Sequence, residues 1–517
     1  MQCNDKKIPG LVIAGLKGGT GKTVISLGIA AAWRNLDIRI APFKKGPDYI
    51  DAGWLAQAAG RPCYNLDTFL CSTSQVKQSF IKNSSLADIA LVEGNRGLYD
   101  GIDTDGHTST AEIAKLLNLP VVLVLDCTKS TRTMAALLMG CIHFDPHVNI
   151  MGVILNQVAG KRHEGKVRDN VQRFCNIPVF GSVPKLSADD FPERHMGLIP
   201  SAEHALAIQS IEAAAKVAKS CIDLDALYKA SIKFSTSHTL YEALEEDHKC
   251  SAFPHTNYPL VINIDDKPTI SSSSDDKPTI GIIRDSAFQF YYPDNLEILE
   301  EKGAVLKFIS PLTQTHIPEV DAIYMGGGFP ETHAAQLAEN VSFRNELKAL
   351  AQKGLPIYAE CGGLIFLGRS LTLNLVHFPS SKGNEHLGKN ENVNTDETVV
   401  YPMADILPLT FGLSPRPVGH GYTEVRVVNE NPFFEVGEII RGHEFRYSHI
   451  IDIEYREEEM AFSMIRGKGI IAKKDGFFKD NVFGTYTHIL ASGTPAWSDA
   501  IIRKALEYKK LHSSNPH

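Results

Sequence analysis

Apolar runs alternate with helix-period stretches through the first 225 residues. The runs are Leu11–Ala14, Ile38–Phe43, Ile89–Glu93, Val121–Asp126 and Gly152–Asn156, each followed by helical patterning. Such strands separated by helices predict a parallel sheet covered on both faces. A second series of the same kind begins at Thr279-Ile280-Gly281-Ile282-Ile283 and runs to the end of the chain. Between the two, residues 231–278 are polar and serine-rich and repeat the hexapeptide Asp-Asp-Lys-Pro-Thr-Ile at 265–270 and 275–280. The expectation is an α/β protein of two doubly wound domains, 8–225 and 278–517, joined by a linker over 226–277. The polar stretch Ser380–Thr398 reads as a surface insertion in the second domain.

Composition narrows this picture. A chain of 517 residues with 43% hydrophobic and 22% charged content is an ordinary globular protein, too long for one core. The net charge of −8 comes without a basic run, which argues against a nucleic-acid partner. No apolar run reaches the roughly 20 residues that span a bilayer. Met1–Pro9 is polar, without a signal-peptide core, and the expected location is the cytoplasm. The 9 cysteines show no Cys-x-x-Cys spacing, which predicts reduced thiols and neither a disulfide framework nor a zinc site.

The first candidate site follows the first apolar run. Gly15-Leu16-Lys17-Gly18-Gly19-Thr20-Gly21-Lys22-Thr23 leads into the helical stretch Val24–Trp33. Glycines let successive N–H groups face a phosphate, and the helix adds its positive end. Lys22 would reach the β- and γ-phosphates and the Thr23 hydroxyl would hold Mg2+. The common pattern wants glycine where Leu16 stands, so the loop reads as the variant Lys-Gly-Gly-Thr-Gly-Lys-Thr with a second lysine, Lys17. Gly18, Gly19, Gly21, Lys17, Lys22 and Thr23 are thus the expected nucleotide contacts. Glu93 ends a buried run, where a carboxylate binds Mg2+ directly or through water. Phe43-Lys44-Lys45-Gly46-Pro47-Asp48-Tyr49-Ile50-Asp51 follows the second run and would face the same edge, with Asp48 a further Mg2+ candidate. Asn156, at the end of another run, has the donor and acceptor that suit a nucleobase edge, although a turn-forming role is nearly as well supported. Glu193-Arg194-His195 reads either as a carboxylate-binding loop or as a surface turn.

The second candidate site lies in the C-terminal series. Ile357-Tyr358-Ala359-Glu360-Cys361-Gly362-Gly363-Leu364 is a strand, a sharp turn and a helix, with cysteine at the apex. This is the pattern of a nucleophile elbow, and a helix N-terminus favours the thiolate. The amide of Gly362 and one from the Gly327-Gly328 turn would form an oxyanion hole. His488, at the end of Phe483–His488, is the favoured base, with His443 the alternative; no acid stands two residues after His488, where Leu490 is found.

Together these residues resemble the glutamine-dependent cobyrinate a,c-diamide synthases over most of the chain. The likeness is carried by Gly46–Asp51, Glu93-Gly94-x-x-Gly97-Leu98-Tyr99-Asp100-Gly101 and Glu193–Leu198. In the second half it is carried by Arg284–Leu296, Gly326–Glu331, Ala359–Leu364 and Arg441–Phe445. The resemblance implies a dethiobiotin-synthetase-type P-loop ATPase followed by a flavodoxin-like class I glutamine amidotransferase. It implies that Cys361 takes the amide of L-glutamine as a thioester and releases ammonia. ATP with Mg2+ would phosphorylate the a and c acetates of a tetrapyrrole, and ammonia would displace phosphate. Asp100, Arg194 and His195 are the implied substrate contacts. A triad without its acid is also implied, and a homodimer is compatible with it. Two features depart from the cobyrinate branch. No second His follows His488 closely, and Phe411–Tyr422 and Gly493-Thr494-Pro495 look more like the branch linked to dissimilatory sulfite reduction, which would amidate sirohaem or its precursor. A third branch acts on nickel sirohydrochlorin. The rival of another class is a P-loop switch or metallochaperone carrying an inactive amidotransferase domain.

Overall fold

A computed structural model describes residues 8–186, 207–235, 277–374 and 398–513, with the backbone of two short strands between 193 and 198. The first copy of the linker repeat, the start of the second, and the 380–398 insertion apart from Thr398 lie outside the described residues. The chain divides into two compact units, Met1–Asn263 and Ile264–His517.

In the first unit the five expected strands are joined by two more, at Tyr64–Leu66 and Val179–Pro184, in one 7-stranded sheet. They are β1 (Gly10–Gly15), β2 (Ile40–Lys45), β3 (Tyr64–Leu66), β4 (Ile89–Glu93), β5 (Val121–Asp126), β6 (Ile150–Val158) and β7 (Val179–Pro184). The order is β3-β2-β4-β1-β5-β6-β7, and every pairing is parallel. The direction of winding reverses beside β1, so the glycine loop after β1 opens where such sheets bind ligands. The loop feeds α1 (Lys22–Arg34), whose apolar residues Ile25, Leu27 and Ile29 join the core. Gly28 lets the helix Ala207–Cys221 come close: a Cβ at Gly28 would stand 2.6 Å from the Ala214 carbonyl oxygen. The expected boundary at 225 falls inside a helix, Leu224–Ser235. Leu224 and Leu227 are buried there and Trp33 Nε1 donates to the Leu224 carbonyl, so this unit keeps its packing to Ser235. The helix Thr73–Ser84 starts at a capping box between Ser72 and Gln75, worth about 1 kcal/mol.

The second unit corrects the expectation of a purely doubly wound sheet. Its 9-stranded sheet is mixed. Strands β8 (Thr279–Ile283), β9 (Val305–Ile309), β10 (Ala322–Met325), β11 (Ile357–Glu360) and β16 (Val482–Thr485) are parallel. Beyond β16 the sheet continues antiparallel through β15 (Lys474–Lys479), β14 (Met460–Arg466), β12 (Gly419–Val427) and β13 (Ile439–Arg446). Only the short turn Asp480-Asn481 separates β15 from β16, and a turn that short can join only antiparallel neighbours. The aromatic rings of Tyr324, Tyr358, Phe433, Phe483 and Trp497 pack edge-on and stacked under the sheet. No helix among the described residues is long and apolar enough to cross a membrane. Every described cysteine is a free thiol.

Candidate functional sites

The glycine loop closes over a charged cluster built by four elements. Gly21 takes φ 86° and turns the chain into α1; a Cβ there would meet Asn156 Nδ2 at 2.3 Å. Asn156 Nδ2 donates to the Thr20 carbonyl at 2.8 Å and so braces the loop from β6. The Lys22 ammonium is buried and donates back to the Lys17 carbonyl at 3.2 Å. Burial lowers its pKa, against the pull of Glu93. Lys17, Gly18 and Gly19 are exposed at the loop's rim, with Lys17 Nζ 3.8 Å from Asp126. Thr23 donates to Glu93 Oε1 at 2.7 Å.

Sequence reasoning passed over the residue at the centre of this cluster. Lys44 lies beside Glu93 in the β2–β4 register, and its ammonium reaches Glu93 at 2.7 Å and Asp51 at 2.6 Å, with Asp48 at 4.0 Å. Burial alone would neutralise Lys44, but the three carboxylates outweigh it and hold its pKa well above the usual value. Burial raises Glu93, and burial with Asp51 nearby brings Asp48 up to about 7. Glu93 Oε2 and Thr20 Oγ1 are buried without a hydrogen bond. A positive charge is therefore already seated among the carboxylates proposed for Mg2+, and one buried carboxylate oxygen stays open to another ligand. That donor set fits a hard cation arriving with a nucleotide. Asp100 Oδ2 accepts from the Gly97 N–H at 2.9 Å and acts on Lys22 through space. Arg194 lies in a two-residue strand paired with Gly197–Leu198; its side chain and His195 are outside the described residues.

In the second unit Cys361 sits at φ 46°, ψ −97°, between β11 and the helix Gly362–Leu367. This strained conformation is what an elbow requires, and it exists because strand and helix fix both sides of the residue. A Cβ on Gly362 would stand 2.9 Å from the Gly328 N–H nitrogen, so the two glycine turns named for the oxyanion hole abut at the thiol. Tyr291 fixes one of them by accepting from the Gly326 N–H at 2.7 Å. His488 is hydrogen-bonded to the Cys361 thiol.

The expectation of a triad without its acid is corrected here. Glu360, the residue before the nucleophile, is fully buried, and its Oε2 lies 3.1 Å from His488 Nδ1. Pairing of β11 with β16 sets Glu360 opposite Thr485 and brings acid and base together. Burial works against charge on His488, but its hydrogen bonds to Cys361 and Glu360 win and raise it to about 10. The base, His488, was expected from the sequence; that Glu360 in Glu-Cys-Gly-Gly is its acid, 128 residues away, was not.

His443, the alternative base, stacks behind His488 with ring centroids 4.9 Å apart, and the two backbones exchange hydrogen bonds. Burial and the neighbouring His488 keep its pKa well below the usual imidazole value. The segment after the base is clamped by Asn295, which donates to the Ile489 carbonyl at 2.8 Å and accepts from the Ala491 N–H at 2.8 Å. Before it, the buried Asp475 accepts from the Tyr486 N–H and from the hydroxyls of Thr485 and Thr487.

The positioning role of Glu360 is testable. Glu360→Gln removes one of the two contacts that raise His488, so the limb of the glutaminase pH profile set by His488 should move to lower pH. Glutaminase kcat should fall about a hundredfold or more. A slower variant with an unmoved profile would reduce Glu360 to a packing residue.

Known proteins match both halves of the chain. The model of the CobQ/CobB/MinD/ParA nucleotide binding domain matches residues 11–199, and that of the CobB/CobQ-like glutamine amidotransferase domain matches residues 279–496. A cobyrinate a,c-diamide synthase of Magnetococcus marinus is 35% identical over 501 residues, covering 96% of this chain and 97% of its own length. One from Archaeoglobus fulgidus is 35% identical over 97% of this chain and 98% of its own. That of Salmonella typhimurium is 34% identical over 92% and 94%. With a phosphate loop over buried carboxylates in one unit, a thiol elbow in the other, and relatives alike from end to end, the chain belongs to the cobyrinate a,c-diamide synthase family.

Proposed function

We propose that the protein is a glutamine-hydrolysing, ATP-dependent ligase that converts two acetate side chains of a tetrapyrrole into amides. The observation that supports this most is that Cys361, His488 and Glu360 form one hydrogen-bonded series, which an inactive amidotransferase domain would not need to keep. The same observation disfavours the rival switch or metallochaperone.

Cys361 attacks the glutamine side-chain amide while His488 takes the thiol proton and passes it to the leaving ammonia. Amides of Gly362 and of the Gly327-Gly328 turn stabilise the oxyanion. In the other unit a carboxylate is a poor acyl electrophile, and phosphorylation gives it a good leaving group. Lys22 and the amides of Gly18, Gly19 and Gly21 offset phosphate charge as the γ-phosphoryl group transfers, with Lys17 as a further cation at the rim. Thr23, Asp48 and Glu93 would hold Mg2+, which neutralises phosphate charge when bound. Asp100, Arg194 and His195 are proposed to meet the macrocycle. A nucleobase contact from Asn156 would use its amide oxygen or its second N–H, because the first N–H is given to the Thr20 carbonyl. The folds are read as dethiobiotin-synthetase-like and flavodoxin-like.

The acceptor is tested by offering cobyrinate, sirohaem and sirohydrochlorin side by side with ATP and glutamine. Mass spectrometry should show one of them gaining two amides. Glutamine hydrolysis with no amidated pigment in any arm would refute the proposed acceptor class.

A further inference from the structure

Lys45 ends β2 one residue beyond Lys44, and it is not part of the Lys44 cluster. Strand alternation sends neighbouring side chains to opposite faces. Lys44 reaches Glu93, whereas Lys45 shares a face with Phe43, which packs on Tyr64 and Phe80. Lys45 is only 5% exposed, yet among the described residues neither a hydrogen bond nor an ion pair holds its ammonium. Asp67 acts on it through space, but Asp67 Oδ1 accepts from the N–H groups of Phe69 at 2.8 Å and Leu70 at 3.0 Å. The side chain is thus enclosed while its positive charge has no partner, which suits it to meet an anion.

A second cation stands near it. Arg96, on the loop after β4, is exposed, adopts φ 52° and forms no ion pair among the described residues. It acts on Lys45 through space, and burial with these neighbouring cations lowers the Lys45 pKa. The two loops that carry the pair touch: a Cβ on Gly46 would lie 3.2 Å from Asn95 Nδ2. An arginine fork beside a lysine point charge suits a carboxylate.

We propose that Lys45 and Arg96 form a subsite for a carboxylate arm of the acceptor that is not itself being phosphorylated. Holding one arm there fixes which acetate reaches the phosphoryl group. The inference rests on the reading of the chain as a ligase for a polycarboxylate. The same cations would also suit nucleotide phosphate oxygens, and the test separates the two.

Lys45→Met and Arg96→Ala are made in the full chain and assayed with the pigment that the wild type amidates. The pigment KM should rise about tenfold or more in each, the loss of one charge-assisted contact. KM for ATP and the rate of glutamine hydrolysis should not change. The melting temperature of Lys45→Met should equal or exceed that of the wild type, because an unpaired charge on an enclosed side chain has been removed. A rise in KM for ATP with the pigment KM unchanged would assign the pair to phosphate and overturn the subsite. Unchanged kinetics, with or without a lower melting temperature, would leave Lys45 a structural residue and also overturn it. If the wild type hydrolyses glutamine but amidates no pigment, the acceptor reading falls and the subsite with it. Active wild type with unaffected variants sinks the subsite alone.

Discussion

Cys361→Ala should lose all glutamine-dependent amidation while making the same product from free ammonia. Alanine keeps the Cβ and so leaves the elbow's packing unchanged, and the φ of 46° is no harder for alanine than for cysteine. What disappears is the sulfur that acts on His488, and no thioester can form. Glutamine hydrolysis should fall to background, a loss on the order of 10⁶ for a nucleophile removed from its dyad. Supplying an ammonium salt bypasses that step, and amide formation should return at a rate set by the ATP-using unit. The check is product formation with each nitrogen source in turn. A variant that ammonia fails to rescue would mean that the thiol belongs to the amide-forming step itself.

Lys22→Ala should produce the opposite pattern. Amidation should fall roughly a thousandfold with glutamine and with ammonia alike, the scale seen when one donor to a charged transition state is lost. Lys22 lies buried under the loop, within the field of Glu93, Lys44, Asp51 and Asp100. The thiol should keep its reactivity toward glutamine, because the glutaminase triad lies wholly in the other unit. Assays of ATP consumption and of glutamine hydrolysis on the same sample separate the two effects.

The sequence carried the local features well. Strand, glycine loop and helix around Lys22, and the elbow around Cys361, are each encoded within a dozen residues, so periodicity and glycine placement were enough. Contacts set by strand pairing were not legible. Lys44 meets Glu93 because β2 lies beside β4, and Glu360 meets His488 because β11 lies beside β16. Neither adjacency leaves a mark in the chain. The antiparallel half of the second sheet was missed for a related reason: its strands, such as Gly419–Val427 and Ile439–Arg446, mix charged and polar residues with apolar ones and leave no continuous apolar run to read. Asn156 shows a third case, where a residue chosen for its hydrogen-bonding capacity spends one of its two amide N–H donors on the loop beside it.

Two half-reactions in one chain make a sharp demand on stoichiometry. The most direct measurement follows ATP hydrolysed, glutamine consumed and amide formed in a single reaction with the accepted pigment. One ATP and one glutamine should disappear for each amide, and the pigment should gain two amides. Amide formation without ATP consumption, or ATP consumption unchanged when the pigment is left out, would contradict a carboxylate activated by phosphorylation.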